Sequence, residues 1–208
     1  MAFTFILESG YRVANALPYL NPQPCRYRMD TLPDYIDHGL KALSIGLNPS
    51  TISVRMGFYF ANPRNRFWRA LDASGLIPEE VIPGPQFQER LFQLYRIGFT
   101  DVVKRPSASA KALRAADYRE WAPELEKKIL EYAPGICWFH GKMAAKNFFR
   151  YTGRTDVLLE WGMQSVTVGH SAAFVSPNPS PANAAFSLQD ITGWYRELAA
   201  ILDDMKPA

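Results

Sequence analysis

Two proline-bearing segments of this 208-residue chain concentrate the residue types that can hold a polar ligand. The first reads Gly46-Leu-Asn-Pro-Ser50 and continues to Gly57-Phe-Tyr-Phe-Ala-Asn-Pro-Arg-Asn-Arg-Phe-Trp68; the second reads Val175-Ser-Pro-Asn-Pro-Ser-Pro-Ala-Asn-Ala-Ala-Phe186. In both, prolines stiffen the backbone while Asn and Ser present amides and hydroxyls. Taken alone, Asn48 reads as a turn residue bonding its own backbone. A third candidate is Asp101, in Gly98-Phe-Thr-Asp-Val-Val-Lys-Arg-Pro106. Its carboxylate is either a proton or hydrogen-bond acceptor for a ligand, or a surface group capping a turn and pairing with Lys104 or Arg105. At His140-Gly141-Lys142, backbone amides and a lysine could bind a phosphate; the bland reading is a helix start with a solvated lysine. Metal-ligand clusters, the G-x-S-x-G elbow, the phosphate-binding G-x-x-x-x-G-K-[ST] loop and the G-x-G-x-x-G fingerprint do not occur, so neither metal nor nucleotide cofactor is expected.

The elements that must position these residues are short. Apolar runs at Lys41–Leu47, Ile97–Val103, Ile136–Phe139, Ser165–Val168 and Ala172–Val175, each bounded by glycine, proline or polar residues, predict four or five strands. Helical spacing predicts helices over Asn65–Leu71, Gln86–Tyr95 (Phe87, Leu91, Leu94 and Tyr95 on one face), Lys142–Arg150 and Ser187–Asp204. Pro123 reads as the opening of a further helix, with Leu125, Ile129, Leu130 and Tyr132 inward and Glu124 paired to Lys128, stopped at Pro134-Gly135. Strands alternating with helices give a three-layer α/β/α sandwich around a largely parallel sheet. Ligands of such sheets bind beyond the carboxyl ends of the strands, which is where both proline-bearing segments fall. Residues 1–31, with Pro18, Pro22 and Pro24, read as an irregular N-terminal segment, and 32–208 as one domain.

Composition is that of a globular chain, 48% hydrophobic and 21% charged. Cys25 and Cys137 are too few for a disulfide framework or a four-cysteine metal site, which suits a reduced, cytoplasmic setting. No run reaches the roughly eighteen apolar residues of a membrane span. A net charge of +3, from 23 Lys+Arg against 20 Asp+Glu, permits an anionic partner, but any nucleic-acid site must be local.

The order Gly46-Leu-Asn-Pro-Ser50, then Gly57-Phe-Tyr-Phe-Ala-Asn-Pro-Arg-Asn-Arg-Phe-Trp68, resembles the first motif of the mismatch-specific uracil- and thymine-DNA glycosylases. Ser176–Phe186 is similar to their second motif. Leu32-Pro-Asp34, Trp161-Gly162 and Trp194-Tyr-Arg-Glu-Leu198 extend the likeness over residues 32–202. The resemblance implies a uracil-DNA glycosylase-like fold and a monofunctional enzyme acting as a monomer on DNA, duplex with a mismatched or damaged base or single-stranded. Such an enzyme rotates a base out of the stack and hydrolyses its N-glycosidic bond, initiating base excision repair. It implies that Asn48 holds the water, that the backbones of Leu47 and Phe60 and the Phe60 ring hold the base, and that Asp101 contacts the base or activates the water. Ser50, Lys142, Asn178, Ser180, Pro181, Ala182 and Asn183 would lie along the DNA. Ala182 stands near where relatives insert a larger side chain into the stack, and Pro181 lacks an amide to read the opposite base. Asn183 is then expected to take over part of that role. Two rival readings are a superfamily member that binds damaged or single-stranded DNA without catalysis, and a nucleoside hydrolase, which would require a carboxylate cluster that the sequence does not offer.

Overall fold

Five short strands pair side by side into one sheet. In the computed structural model, which describes residues 31–205, these are β1 (Ala42–Gly46), β2 (Ile97–Asp101), β3 (Ile136–His140), β4 (Gly162–Val168) and β5 (Ser171–Ser176). Their order is β2-β1-β3-β5-β4, with β4 alone antiparallel, on β5. All five residues of β1, β2 and β3 are buried, as parallel strands between two helical layers must be, whereas β4 at the sheet edge is buried only at its two ends. The helices are α1 (Thr51–Met56), α2 (Phe67–Ser74), α3 (Pro85–Gln93), α4 (Ala115–Tyr132), α5 (Lys142–Tyr151) and α6 (Leu188–Asp204). One core joins α2, α3 and α6 to the sheet through Phe67, Leu71, Leu91, Phe99, Trp138 and Tyr195. The other joins α4 and α5 through Leu43, Ile45, Ile129, Phe139 and Phe148. The three-layer sandwich with five strands is therefore as expected.

Several local expectations are corrected. Helix α4 starts at Ala115, and Pro123 lies inside it. Its start is fixed by Asp117, whose carboxylate accepts the Arg114 N–H at 2.6 Å and two bonds from Arg105, while Tyr118, Ala122, Leu125 and Ile129 carry the buried face past the proline. Leu130, expected inward, is 53% exposed, and Leu94 of the predicted α3 stripe is 57% exposed because α3 ends before it. Glu124 pairs with Lys127, not Lys128. Helix α1 was not foreseen, and β4 begins three residues early, with a register irregularity between Met163 and Thr167. The N-terminal segment predicted over 1–31 lies almost wholly outside the described residues. Among the described residues no helix is long and apolar enough to cross a membrane, and no cluster of three or more His, Cys, Asp or Glu is placed to hold a metal ion.

Candidate active site

Strand pairing sets four residues in one row at the carboxyl edge of the sheet. Gly46 is in register with Asp101, His140 with Ser176, and the β1–β3 register that pairs Ile45 with Phe139 brings Gly46 beside His140 at the next step. Alternation turns this row to the aromatic face, under the loop between α1 and α2. The missing Cβ of Gly46 makes room for the Asp101 carboxyl: a Cβ there would stand 2.3 Å from Asp101 Oδ1.

Asn48 follows this edge. Its Nδ2 donates to Pro49 O at 3.2 Å, Arg105 O at 3.1 Å and Ser107 Oγ at 2.8 Å. Two of those acceptors are carbonyls, which cannot donate, so the amide orientation follows from chemistry: NH2 toward the loop after β2, Oδ1 away from it. Oδ1 accepts nothing from the described residues and remains for a ligand. Ser50 accepts the Ser53 N–H at 3.0 Å as the N-cap of α1, and buried Ser53 accepts the Ala61 N–H at 3.2 Å. The start of the first motif thereby holds the loop that carries Phe60.

Phe60 sits at φ +56°, where a non-glycine residue is uncommon. The ring holds it there, stacked on Phe67 with centroids 4.1 Å apart and edge-on to His140 at 5.0 Å. Strain of this kind, on the order of 1 kcal/mol, concentrates where a site needs a particular backbone. The Leu47 side chain is buried in the opposite core, leaving its backbone at the edge. Neither the Leu47 nor the Phe60 N–H meets an acceptor among the described residues, so both can face a ligand.

His140 closes the floor. It shares a 2.8 Å hydrogen bond between Nε2 and Ser44 Oγ, and burial pushes its pKa down to about 3, so it is neutral at physiological pH.

The second loop is held from within the first motif. Arg66 donates its backbone N–H and Nε to Pro179 O at 3.0 and 3.2 Å, and Nη2 to Ser180 O and Asn183 O at 2.6 and 2.8 Å; Nη1 reaches Phe186 O. Within the loop, Asn178 Oδ1 accepts the Ser180 N–H at 2.9 Å, and Asn183 Nδ2 donates back to Asn178 O at 2.9 Å. Pro181 and Ala182 form an exposed tip, with Asn183 half-buried and folded inward.

The pattern of residues 33–200 matches the family model described as the uracil DNA glycosylase superfamily. The chain belongs to this superfamily. A solution NMR structure from Methanosarcina acetivorans, named as a "putative Uracil DNA glycosylase", is similar in fold, with TM-score 0.56 and 22% identity over 83% of this chain and 97% of that one.

Within this DNA glycosylase superfamily fold, the expected site residues Leu47, Asn48, Phe60 and Asp101 come to one edge, and Asn178–Asn183 form the adjoining rim. Lys142 is a partly exposed cation at the start of α5, with Nζ 4.9 Å from the Trp161 ring centroid and 3.7 Å from Glu160 Oε2, while the Gly141 N–H is given to Ser176 O at 2.7 Å. Asp101 is buried at 4% exposure rather than at the surface, and pairs with neither Lys104, which bonds Asp34 at 2.7 Å, nor Arg105, which bonds Asp117 at 2.6 Å. Sequence reasoning missed Arg66, Asp34 and His140 as parts of the frame. The signal available for Arg66 was its place inside the first motif, between Asn65 and Phe67.

Proposed function

We propose that the chain is a monofunctional DNA glycosylase of the mismatch-specific uracil- and thymine-type branch, removing uracil and related deaminated or modified bases. Asn48 Oδ1 holds the attacking water. An amide cannot deprotonate water, but positioning suffices when the sugar is already cation-like because the bond to the base breaks ahead of attack. The base departs with the bonding electron pair, the water oxygen bonds to C1′, and a water proton balances the base. The Leu47 and Phe60 N–H groups donate to the departing base, the Phe60 ring bounds its pocket, and Asp101 contacts it from the β2 side. Ser50, Lys142, Asn178, Ser180, Pro181, Ala182 and Asn183 line the DNA, and the enzyme acts as a cytoplasmic monomer on duplex or single-stranded substrate.

The observation that carries this reading is the Asn48 amide, whose NH2 is tied to two carbonyls so that its oxygen is presented outward. Single-turnover excision from a uracil-containing oligonucleotide tests it. Asn48→Ala is expected to slow excision by about two orders of magnitude or more, with DNA binding kept. Near-wild-type excision by a folded variant would refute the assignment. The small tip at Ala182 favours the second reading, DNA binding without catalysis; absence of product from wild-type protein on every base tested would select it.

A further inference from the structure

Two carboxyl groups beside the loop between α1 and α2 are treated oppositely. Asp34 collects the donors of the neighbourhood: Lys104 Nζ at 2.7 Å, Lys128 Nζ at 2.6 Å and Thr100 Oγ1 at 2.6 Å. Asp101 receives none. Its carboxyl makes no hydrogen bond to any described residue, and Oδ2 is sealed from solvent without a partner. The Tyr59 hydroxyl cannot serve it, because it accepts from Lys104 at 3.1 Å and donates to Pro33 O at 3.2 Å. The charged and titratable groups that face Asp101 are Lys104 from the loop after β2, Asp34 from the segment before β1, and Tyr59 from the first motif. From β1 it meets Gly46, which brings no charge.

A buried carboxylate without donors is far more costly than a buried neutral acid, so this pocket selects the protonated form. An acid has an O–H to give, and nothing described in the protein takes it. We propose that Asp101 works as a protonated carboxylic acid, donating its O–H to a carbonyl oxygen of the flipped base and so selecting bases that present a carbonyl at that edge. This rests on the glycosylase reading above, and reverses the role of a carboxylate that accepts a proton. As the bond from C1′ to the base breaks, the electron pair moves onto the base and its carbonyl oxygen gains negative charge. The O–H···O bond strengthens in step, whereas a carboxylate at the same place would repel the leaving group. No proton leaves Asp101, and the water supplies the one that the base finally carries. The environments agree with this division: burial pushes Asp101 up to about 7, with Lys104 opposing and Asp34 reinforcing. At Asp34, Lys104, Lys128 and Thr100 outweigh burial and hold the pKa below the usual carboxylate value.

The test combines a pH profile with a direct titration. Single-turnover excision of uracil by the full-length wild type is expected to fall as pH rises through about 7, approaching tenfold per pH unit above it. Asp101→Asn, which keeps the shape and supplies a donor that does not titrate, should remain active and lose this pH dependence; Asp101→Ala should be slow throughout. Carbon-13 NMR of the Asp carboxyls in wild-type protein should show one group titrating near neutrality, a readout that stands even if a variant fails to fold. A rate that rises through neutrality with Asp101→Asn inactive, or Asp carboxyls that all titrate in the ordinary range, would overturn the inference and leave the glycosylase reading intact. A wild type that excises nothing at any pH overturns that reading, and this inference with it.

Discussion

Replacing Arg66 by alanine removes four side-chain hydrogen bonds, to the carbonyls of Pro179, Ser180, Asn183 and Phe186, while the backbone bond to Pro179 survives. Hydrogen bonds involving a charged group are worth about 1.5–3 kcal/mol each, but carbonyls of a loop whose tip is exposed recover part of that from water. At about 1 kcal/mol apiece after this recovery, the loss is roughly 3–4 kcal/mol. It is felt as one event, because a single guanidinium makes all four bonds. For a chain of this size that corresponds to a melting point lower by roughly 6–16 °C. Arg66→Lys should regain less than half, since an ammonium has no planar fork to span carbonyls on both sides of the loop. Thermal unfolding gives the stability, and single-turnover excision from matched, mismatched and single-stranded uracil substrates gives the function. The looser rim should slow the duplex substrates more than the single strand. A variant that melts within about 2 °C of wild type would show that the four bonds do not hold the loop.

Gly46→Ala drives a Cβ to 2.3 Å from Asp101 Oδ1 and should destabilise by about 1–3 kcal/mol; in an Asp101→Ala background most of that cost should vanish, and an equal cost in both backgrounds would place the clash elsewhere. Stability against pH should separate wild type from Asp101→Asn in urea unfolding. With its folded pKa raised to about 7, Asp101 withdraws stability as pH rises from its unfolded value, whereas His140, lowered to about 3, adds stability as pH rises toward its own unfolded value. Between pH 5 and 6.5 these slopes oppose each other in wild type, so Asp101→Asn should gain on it by about 1.4 kcal/mol per pH unit; parallel curves would contradict the burial of an acid at Asp101. At the exposed tip, Ala182→Arg or Ala182→Leu should tighten binding to product DNA and narrow the gap between single-stranded or mismatched and fully paired substrates. Equal wild-type rates on uracil in single strands, opposite guanine and opposite adenine would remove the basis for this expectation.

What can be read from neighbours along the chain was legible without the fold. Apolar runs such as Lys41–Leu47 and Ile136–Phe139, with helices between them, announce a buried parallel sheet because strands covered on both faces are apolar at nearly every position. The placement of Asn48 and of the second loop beyond strand ends follows from the same order. Pro123 misled for the complementary reason. Its local preference is to open a helix, but the packing of Tyr118 and Ala122 and the anchoring of Asp117 by Arg105 extend α4 eight residues earlier.

The state of the chemical groups was decided by contacts between distant parts of the chain. Lys128, which the helix pattern offered to Glu124, reaches Asp34 across 94 positions, and Lys104 reaches it across 70. Asp101 is thereby left buried and unpaired beside the bare Cα of Gly46. Arg66 closes the second loop from more than a hundred residues away. The residue types of the site, the order of its elements along the chain and the small side chain of Ala182 belong to the sequence by itself. Which donor meets which acceptor, and so which aspartate is ionised and which way the Asn48 amide turns, is a property of tertiary structure, because desolvation and hydrogen-bond partnership depend on all the groups that surround an atom and not on those beside it in the chain.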